Sequence, residues 1–194
     1  MRIISGKFKG IALFKPINNK VRPLKDMVRE SIFNFLVHSK KISFTLEKSN
    51  ILDLYSGTGS FGLECLSRHA NKVIFVEKEK EAIKILEKNI KKLKVENNIE
   101  IYFSEIYQLI KNKGNKIDNS INRISYDIIF CDPPFKETNI NKLIELIISN
   151  KLIKKNGIII LHRHKKTKEK FTNYFKIIDE RIYGLSKIIF GQTT

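Results

Sequence analysis

Apolar and polar residues alternate along the chain with two different periods, and each change of period marks an element. Short apolar-rich runs at 51–55, 72–77, 99–104, 126–131 and 157–162 predict buried strands. Between them apolar residues recur three and four apart. Val28, Ile32, Phe35 and Leu36 predict a helix over 25–38, and Ile83, Leu86, Ile90 and Leu93 predict another after the second strand. Further helices are expected at 60–69, just after the third strand, and at 139–152, with two late strands near 174–181 and 185–191. Upstream, short apolar stretches at 2–5 and 10–14 around Gly6 and Gly10 predict a small β-hairpin. Residues 112–123 are Asn/Lys-rich and predict a surface loop. Strands that alternate with helices imply a mainly parallel sheet covered on both faces. The pattern shows no internal repeat and no second boundary. The 194 residues therefore read as one domain, with 1–24 as an N-terminal extension and 25–194 as the core.

Composition narrows this picture. A hydrophobic content of 42% argues against disorder. No apolar run approaches the roughly 20 residues of a membrane span, and the N-terminus lacks the apolar core of a signal peptide, so a cytoplasmic protein is expected. Cys65 and Cys131 show no metal or redox spacing and read as reduced thiols. The net charge of +17 calls for a polyanionic partner, most simply nucleic acid. Lys, Ile and Asn are all abundant and share AT-rich codons, so codon drift competes as a source of that charge. Position says more than the total. From Met1 to Lys25 there are seven basic side chains (Arg2, Lys7, Lys9, Lys15, Lys20, Arg22 and Lys25) and no acid, which makes this block the candidate for phosphate contact.

Two motifs carry chemistry. Gly57-Thr58-Gly59-Ser60-Phe61-Gly62 lies between a predicted strand and a predicted helix, where glycines let the backbone turn tightly and approach a ligand. Asp53 precedes it, and Glu77 ends the next strand, 24 residues after Asp53. A carboxylate there either accepts hydrogen bonds from two ribose hydroxyls or caps the following helix, and the two roles are compatible. These features mark a nucleoside-containing cofactor, with NAD and S-adenosylmethionine both fitting.

The stretch Ile128 to Phe135, IIFCDPPF, separates them. Strand four ends at the same sheet edge, so Asp132 faces the same crevice. Proline fixes φ and removes a donor. The Asp132 carboxylate and the Pro133 carbonyl can each accept one hydrogen of a planar NH2 group, while Phe135 stacks on the ring that carries it, Pro134 keeping the turn rigid. Such an amine is a poor nucleophile because its lone pair is delocalised. Two acceptors favour a pyramidal nitrogen and stabilise the charge that develops as it attacks an electrophilic methyl. A dehydrogenase has no use for this site, and no metal is required.

These stretches resemble the RsmD family of bacterial methyltransferases, which use S-adenosylmethionine to methylate the N2 amine of a guanine in 16S rRNA. The resemblance runs through RIISGKFKGIAL, VRPLKDMVRESIFNFL, DLYSGTGSFGLECLSRHA, CDPPF and RIYGLSKIIF, nearly the whole chain. It implies a Rossmann-like class I methyltransferase, with a mainly parallel seven-stranded sheet, an antiparallel last strand and a small N-terminal hairpin and helix extension. It implies that Asp53, Gly57 and Gly59 line the methionine part of the cofactor, that Glu77 holds the ribose, that Glu105 meets the adenine amine, and that Tyr55, Lys78 and Ile106 also bind the cofactor. Asp132, Pro133, Pro134 and Phe135 would form the target-base site. Arg2, Lys7, Lys9, Arg22 and Arg29 would meet RNA, within an assembling small subunit and with the enzyme acting as a monomer. Arg29 and Glu30 also read as a surface pair on an amphipathic helix.

Some positions depart from that family's pattern. An acid often follows strand five where this chain has LHRHKK, and Ile106 stands where alanine is common. His162 and His164 alternate on a strand; two histidines alone make a weak metal site, and a basic RNA-facing edge or plain solvated residues are expected. Three other readings fit parts of the pattern: an adenine-N6 DNA methyltransferase, a nicotinamide-dependent oxidoreductase, and a non-catalytic nucleic-acid-binding protein on the same fold.

Overall fold

A computed structural model of the protein describes residues 1–16, 24–111, 121 and 124–194. Arg22 and most of the 112–123 stretch lie outside the described residues. Among the described residues seven strands, β1 (Asn50–Leu54), β2 (Lys72–Glu77), β3 (Ile99–Phe103), β4 (Tyr126–Cys131), β5 (Ile153–His164), β6 (Phe175–Tyr183) and β7 (Ser186–Thr193), form one sheet in the order β3-β2-β1-β4-β5-β7-β6. The first five run parallel, and β7 inserts antiparallel between β5 and β6. The expected parallel sheet with an antiparallel last strand is what forms. β1 has β2 on one side and β4 on the other, so the chain reverses its direction of travel across the sheet there. In open α/β sheets that reversal leaves a crevice beyond the carboxyl ends of the strands.

Among the described residues five α-helices, α1 (Asp26–His38), α2 (Ser60–Ser67), α3 (Lys80–Leu93), α4 (Ile106–Lys111) and α5 (Ile140–Ser149), cover the sheet. Alternation along each strand divides the core. Ile51, Phe75, Phe130 and Ile160 pack on one side with residues of α1, α2 and α3. Leu52, Val76, Cys131 and Leu161 pack on the other with α4 and α5. Aromatic stacking of Phe61 on Phe130, with ring centres 4.1 Å apart, ties α2 to β4, a type of contact worth about 0.5–1.5 kcal/mol beyond burial.

Two elements differ from the pattern. β5 starts at Ile153, not 157, because the β4–β5 register slips between Tyr126 and Ile128 and lets an irregular stretch join the strand. The N-terminal hairpin forms but is too short for two full strands: around the bridge between Arg2 and Ala12, the Ile3 amide donates to the Ile11 carbonyl at 3.0 Å, the Gly10 amide to the Ile3 carbonyl at 2.9 Å and the Leu13 amide to the Met1 carbonyl at 3.0 Å. Other donors of the segment dock it on α2: the Ile4 and Ser5 amides donate to the Glu64 carboxylate at 2.7 and 2.9 Å, and the Lys7 amide donates to the Ser67 carbonyl at 2.7 Å. Gly6 permits this approach, since its φ is 82° and a Cβ there would lie 1.9 Å from the Ser67 oxygen. On the other arm, the fully buried Asn89 of α3 accepts the Phe14 amide at 2.7 Å and donates to the Phe14 and Thr58 carbonyls, each at 3.1 Å.

Candidate active site

Strand parity builds the site. Asp53 follows Ile51 by two residues, Glu77 follows Phe75, Asp132 follows Phe130 and His162 follows Ile160. All four therefore point to the α1–α3 face at the carboxyl ends of β1, β2, β4 and β5. They line a cleft of about 420 Å³, together with Tyr55, Gly57, Lys78, Pro133, Pro134 and Phe135.

The turn after β1 shapes one wall. Tyr55 has a left-handed backbone, with φ 57°; such strain costs of order 1–3 kcal/mol and persists where the surroundings enforce it. Its hydroxyl and that of Tyr107 are held neutral, the first pushed up by burial and by its Tyr107 neighbour, the second pushed up to about 12, again mainly by burial. Gly59, with φ 82°, starts α2, and a Cβ there would sit 2.3 Å from Leu86. Gly59 thus serves the turn and is not in the cleft wall, whereas Gly57 is.

Asp53 is almost wholly buried. Its Oδ2 accepts the Gly62 amide in the first turn of α2 at 3.0 Å. Its Oδ1 has no hydrogen-bond partner among the described residues. Burial pushes its pKa well up, Asp132 and Glu77 push it further, and the Gly62 amide opposes them. Glu77 accepts three backbone amides: Gly57 at 2.7 Å, Lys78 at 2.8 Å and Glu79 at 2.9 Å. The carboxylate therefore joins the Gly57 loop to the turn that leads into α3; the amides it accepts precede the helix, so Glu77 does not cap α3 itself. Three carboxylates around one cleft suit a ligand with positive charge and hydroxyl donors, and the orphaned Asp53 oxygen suits an ammonium group. A pyrophosphate is poorly matched, since Asp53 already occupies the α2 amide that would meet it. These residues fit S-adenosylmethionine, which carries a sulfonium, an ammonium and a ribose.

Opposite lies the CDPPF turn. The Pro134 carbonyl accepts the Glu137 amide at 2.8 Å and the Arg163 guanidinium at 3.4 Å, and Arg163 also reaches the Glu137 carbonyl at 2.6 Å. Arg163 is itself buried and paired with Glu169 at 2.7 Å. The rigid turn is thus clamped from β5 as well as stiffened by its prolines. Buried Cys131, just before it, has its thiol pushed up by burial and stays protonated.

Several expected site residues fall elsewhere. Ile106 is buried among apolar side chains of the α4–α5 layer, and the Glu105 carboxylate accepts the Gln108 amide at 3.1 Å, capping α4; neither is in the cleft wall. Arg29 does not fit the expected RNA contact. It is fully buried, hydrogen-bonds the Arg2 carbonyl, and pairs with Asp26 at 3.1 Å and Glu64 at 3.9 Å; burial lowers its pKa, and these acids oppose that shift. The surface Arg29–Glu30 pair fails for the same reason, although Glu30 is exposed. Arg2, Lys7 and Lys9 are exposed on the N-terminal segment. His162 is not a plain solvated residue: it is 4% exposed in the cleft wall, and its ring nitrogens lie 2.7 Å from Asp132 and 2.8 Å from Ser186. Its offset from Ile160, matching that of Asp132 from Phe130, was the signal for it, but reading that signal needed the β4–β5 pairing.

The fold and cleft define the class I methyltransferase architecture. The solved structure of yhhF from Escherichia coli, described as a methyltransferase, superposes with a TM-score of 0.80 at 26% identity, covering 100% of this chain and 97% of that one. The methylase HI0767 from Haemophilus influenzae gives a TM-score of 0.75 at 28% identity over 99% of this chain and 97% of its own. The family profile described as Conserved hypothetical protein 95 matches residues 1–192. Ribosomal RNA small subunit methyltransferase D of Buchnera aphidicola subsp. Baizongia pistaciae is 37% identical over 165 residues, covering 84% of this chain and 76% of the relative. The chain belongs to this family, the RsmD methyltransferases.

Proposed function

We propose that the protein transfers a methyl group from S-adenosylmethionine to the exocyclic N2 amine of a guanine in 16S rRNA. The observation that carries this reading is Asp132, followed by Pro133, Pro134 and Phe135, level with Glu77 and near Asp53 across one cleft at the reversal point of the sheet. When bound, S-adenosylmethionine supplies an electrophilic methyl that passes to the amine nitrogen as its bond to sulfur breaks and the sulfonium becomes a neutral thioether. Asp53 Oδ1 receives the ammonium of the methionine part. Glu77 and the Gly57 loop receive the ribose, with Tyr55 and Lys78 beside them. Asp132 and the Pro133 carbonyl each accept one amine hydrogen, which directs the nitrogen lone pair at the methyl. Phe135 stacks on the base. After transfer the amine sheds one proton, and Asp132 is the acceptor within reach.

The choice of guanine N2 and of small-subunit rRNA rests on family membership, since the turn itself suits any ring-bound NH2. Arg2, Lys7 and Lys9 supply phosphate contacts. The base has to leave its stack to reach Phe135, which favours an assembling subunit with the target still open. One chain supplies every residue named, so a monomer suffices, with residues 1–24 as a basic extension on a single catalytic domain. The assignment to the cytoplasm rests on the rRNA substrate alone; among the described residues no helix is long and apolar enough to cross a membrane. The test is incubation with labelled S-adenosylmethionine and unmodified small-subunit rRNA or subunits, followed by nucleoside analysis. N2-methylguanosine is the expected product; N6-methyladenosine alone would reject the substrate.

A further inference from the structure

His162 touches both halves of the target-amine site. Its Nδ1 lies 2.7 Å from Asp132 Oδ1, its Nε2 lies 2.8 Å from Ser186 Oγ on β7, and its ring meets the Phe135 ring edge-on, with centres 5.7 Å apart at 83°. His164, two residues on, meets the same Phe135 ring at 5.1 Å and 72°.

We propose that His162 is the positioning residue of this site: it commits Oδ1 of Asp132, leaves Oδ2 for the target amine, and fixes the plane of Phe135. The proposal rests on the reading that Asp132 receives the amine. A carboxylate on a short side chain rotates in a broad well and presents either oxygen. A carboxylate only accepts, so Nδ1 must donate to it, and in the neutral ring Nε2 then accepts from the Ser186 hydroxyl. Asp132 thus sets the tautomer, and the buried Ser186 hydroxyl, which can donate or accept, turns its hydrogen to match it. Because the whole chain of contacts is held between β5 and β7, the carboxylate is oriented before any substrate arrives. Misplacing a reacting group by about 1 Å costs on the order of a hundredfold in rate.

Four variants and one spectrum test this. His162→Ala should lower kcat about 10- to 100-fold, with cofactor affinity and the KM for RNA little changed. His162→Asn places an amide nitrogen near the Nδ1 position and should recover most of that rate. His162→Gln reaches only the Nε2 position and should stay near the alanine value. Equal losses in Asn and Gln, or a loss confined to KM or cofactor affinity, would overturn the proposal, and this pair decides it even where the alanine variant does not fold. Independently of activity, nitrogen-15 NMR of the cofactor-free protein at neutral pH should show a proton on Nδ1; a bare Nδ1 would overturn it. Asp132→Ala, measured alongside, separates the two claims. If it keeps wild-type turnover, the target-amine reading itself has failed. If it loses turnover while His162→Ala keeps it, only the positioning role has failed.

Discussion

Asp53 shows how a single residue can carry a functional cost. One oxygen is spent on the α2 amide and the other has no partner among the described residues, in a site that burial and two neighbouring acids make hostile to charge. Its folded pKa lies above the unfolded value of about 3.9. Between those two values the native state holds a proton that the unfolded chain has lost, so stability falls as pH rises through that window. Asp53→Asn removes this dependence and keeps an acceptor for Gly62. The cofactor-free variant should match wild type near pH 3 and exceed it by about 1–3 kcal/mol at pH 8, while binding S-adenosylmethionine far more weakly. Thermal melts across that range check it, and a stability difference that does not move with pH would contradict it. Asp53 was legible in the sequence because it sits at the end of an apolar run before glycines. Arg29 and His162 were not, since both are polar side chains whose partners, Glu64 and Asp132, are distant in sequence and are met only once the sheet has formed.

At the scale of elements, the N-terminal segment is bound to the core by the same helices that frame the cofactor loop. Glu64 and Ser67 of α2 take its amides, and Asn89 of α3 holds Phe14 and Thr58 together. The periods of the pattern located the five α-helices and seven strands of the described residues to within a few residues, because burial on one stripe or one face leaves a direct trace in the sequence. The expected hairpin forms through the Ile3, Gly10 and Leu13 amides, but it stays short, and its docking on α2 through the Ile4, Ser5 and Lys7 amides is something no local pattern reveals. Lys7 and Lys9 lie on the exposed outside of this segment. Changing both to Ala should weaken RNA binding and flatten the dependence of log affinity on log salt by up to about 0.7 per lost single-strand phosphate contact. Filter binding over a salt series measures this, and an unchanged slope would remove the segment from the RNA interface without touching the catalytic reading.

For the whole molecule, the order β3-β2-β1-β4-β5-β7-β6 matters most. It places the ends of β2, β1, β4 and β5 side by side, so residues separated by more than a hundred positions reach one cleft. The alternation of strands and helices announced the parallel sheet, and the two late strands announced its antiparallel edge. The packing of β7 beside β5, which brings Ser186 to His162, depends on long-range pairing alone.

The central claim is that Asp132 serves the chemistry and not the cofactor. Single-turnover methyl transfer to unmodified small-subunit rRNA, measured for wild type and Asp132→Ala alongside calorimetric cofactor affinity, tests it most directly. Cofactor affinity close to wild type and a transfer rate lower by about a hundredfold or more are expected for Asp132→Ala. A folded Asp132→Ala protein that transferred methyl at the wild-type rate would contradict it.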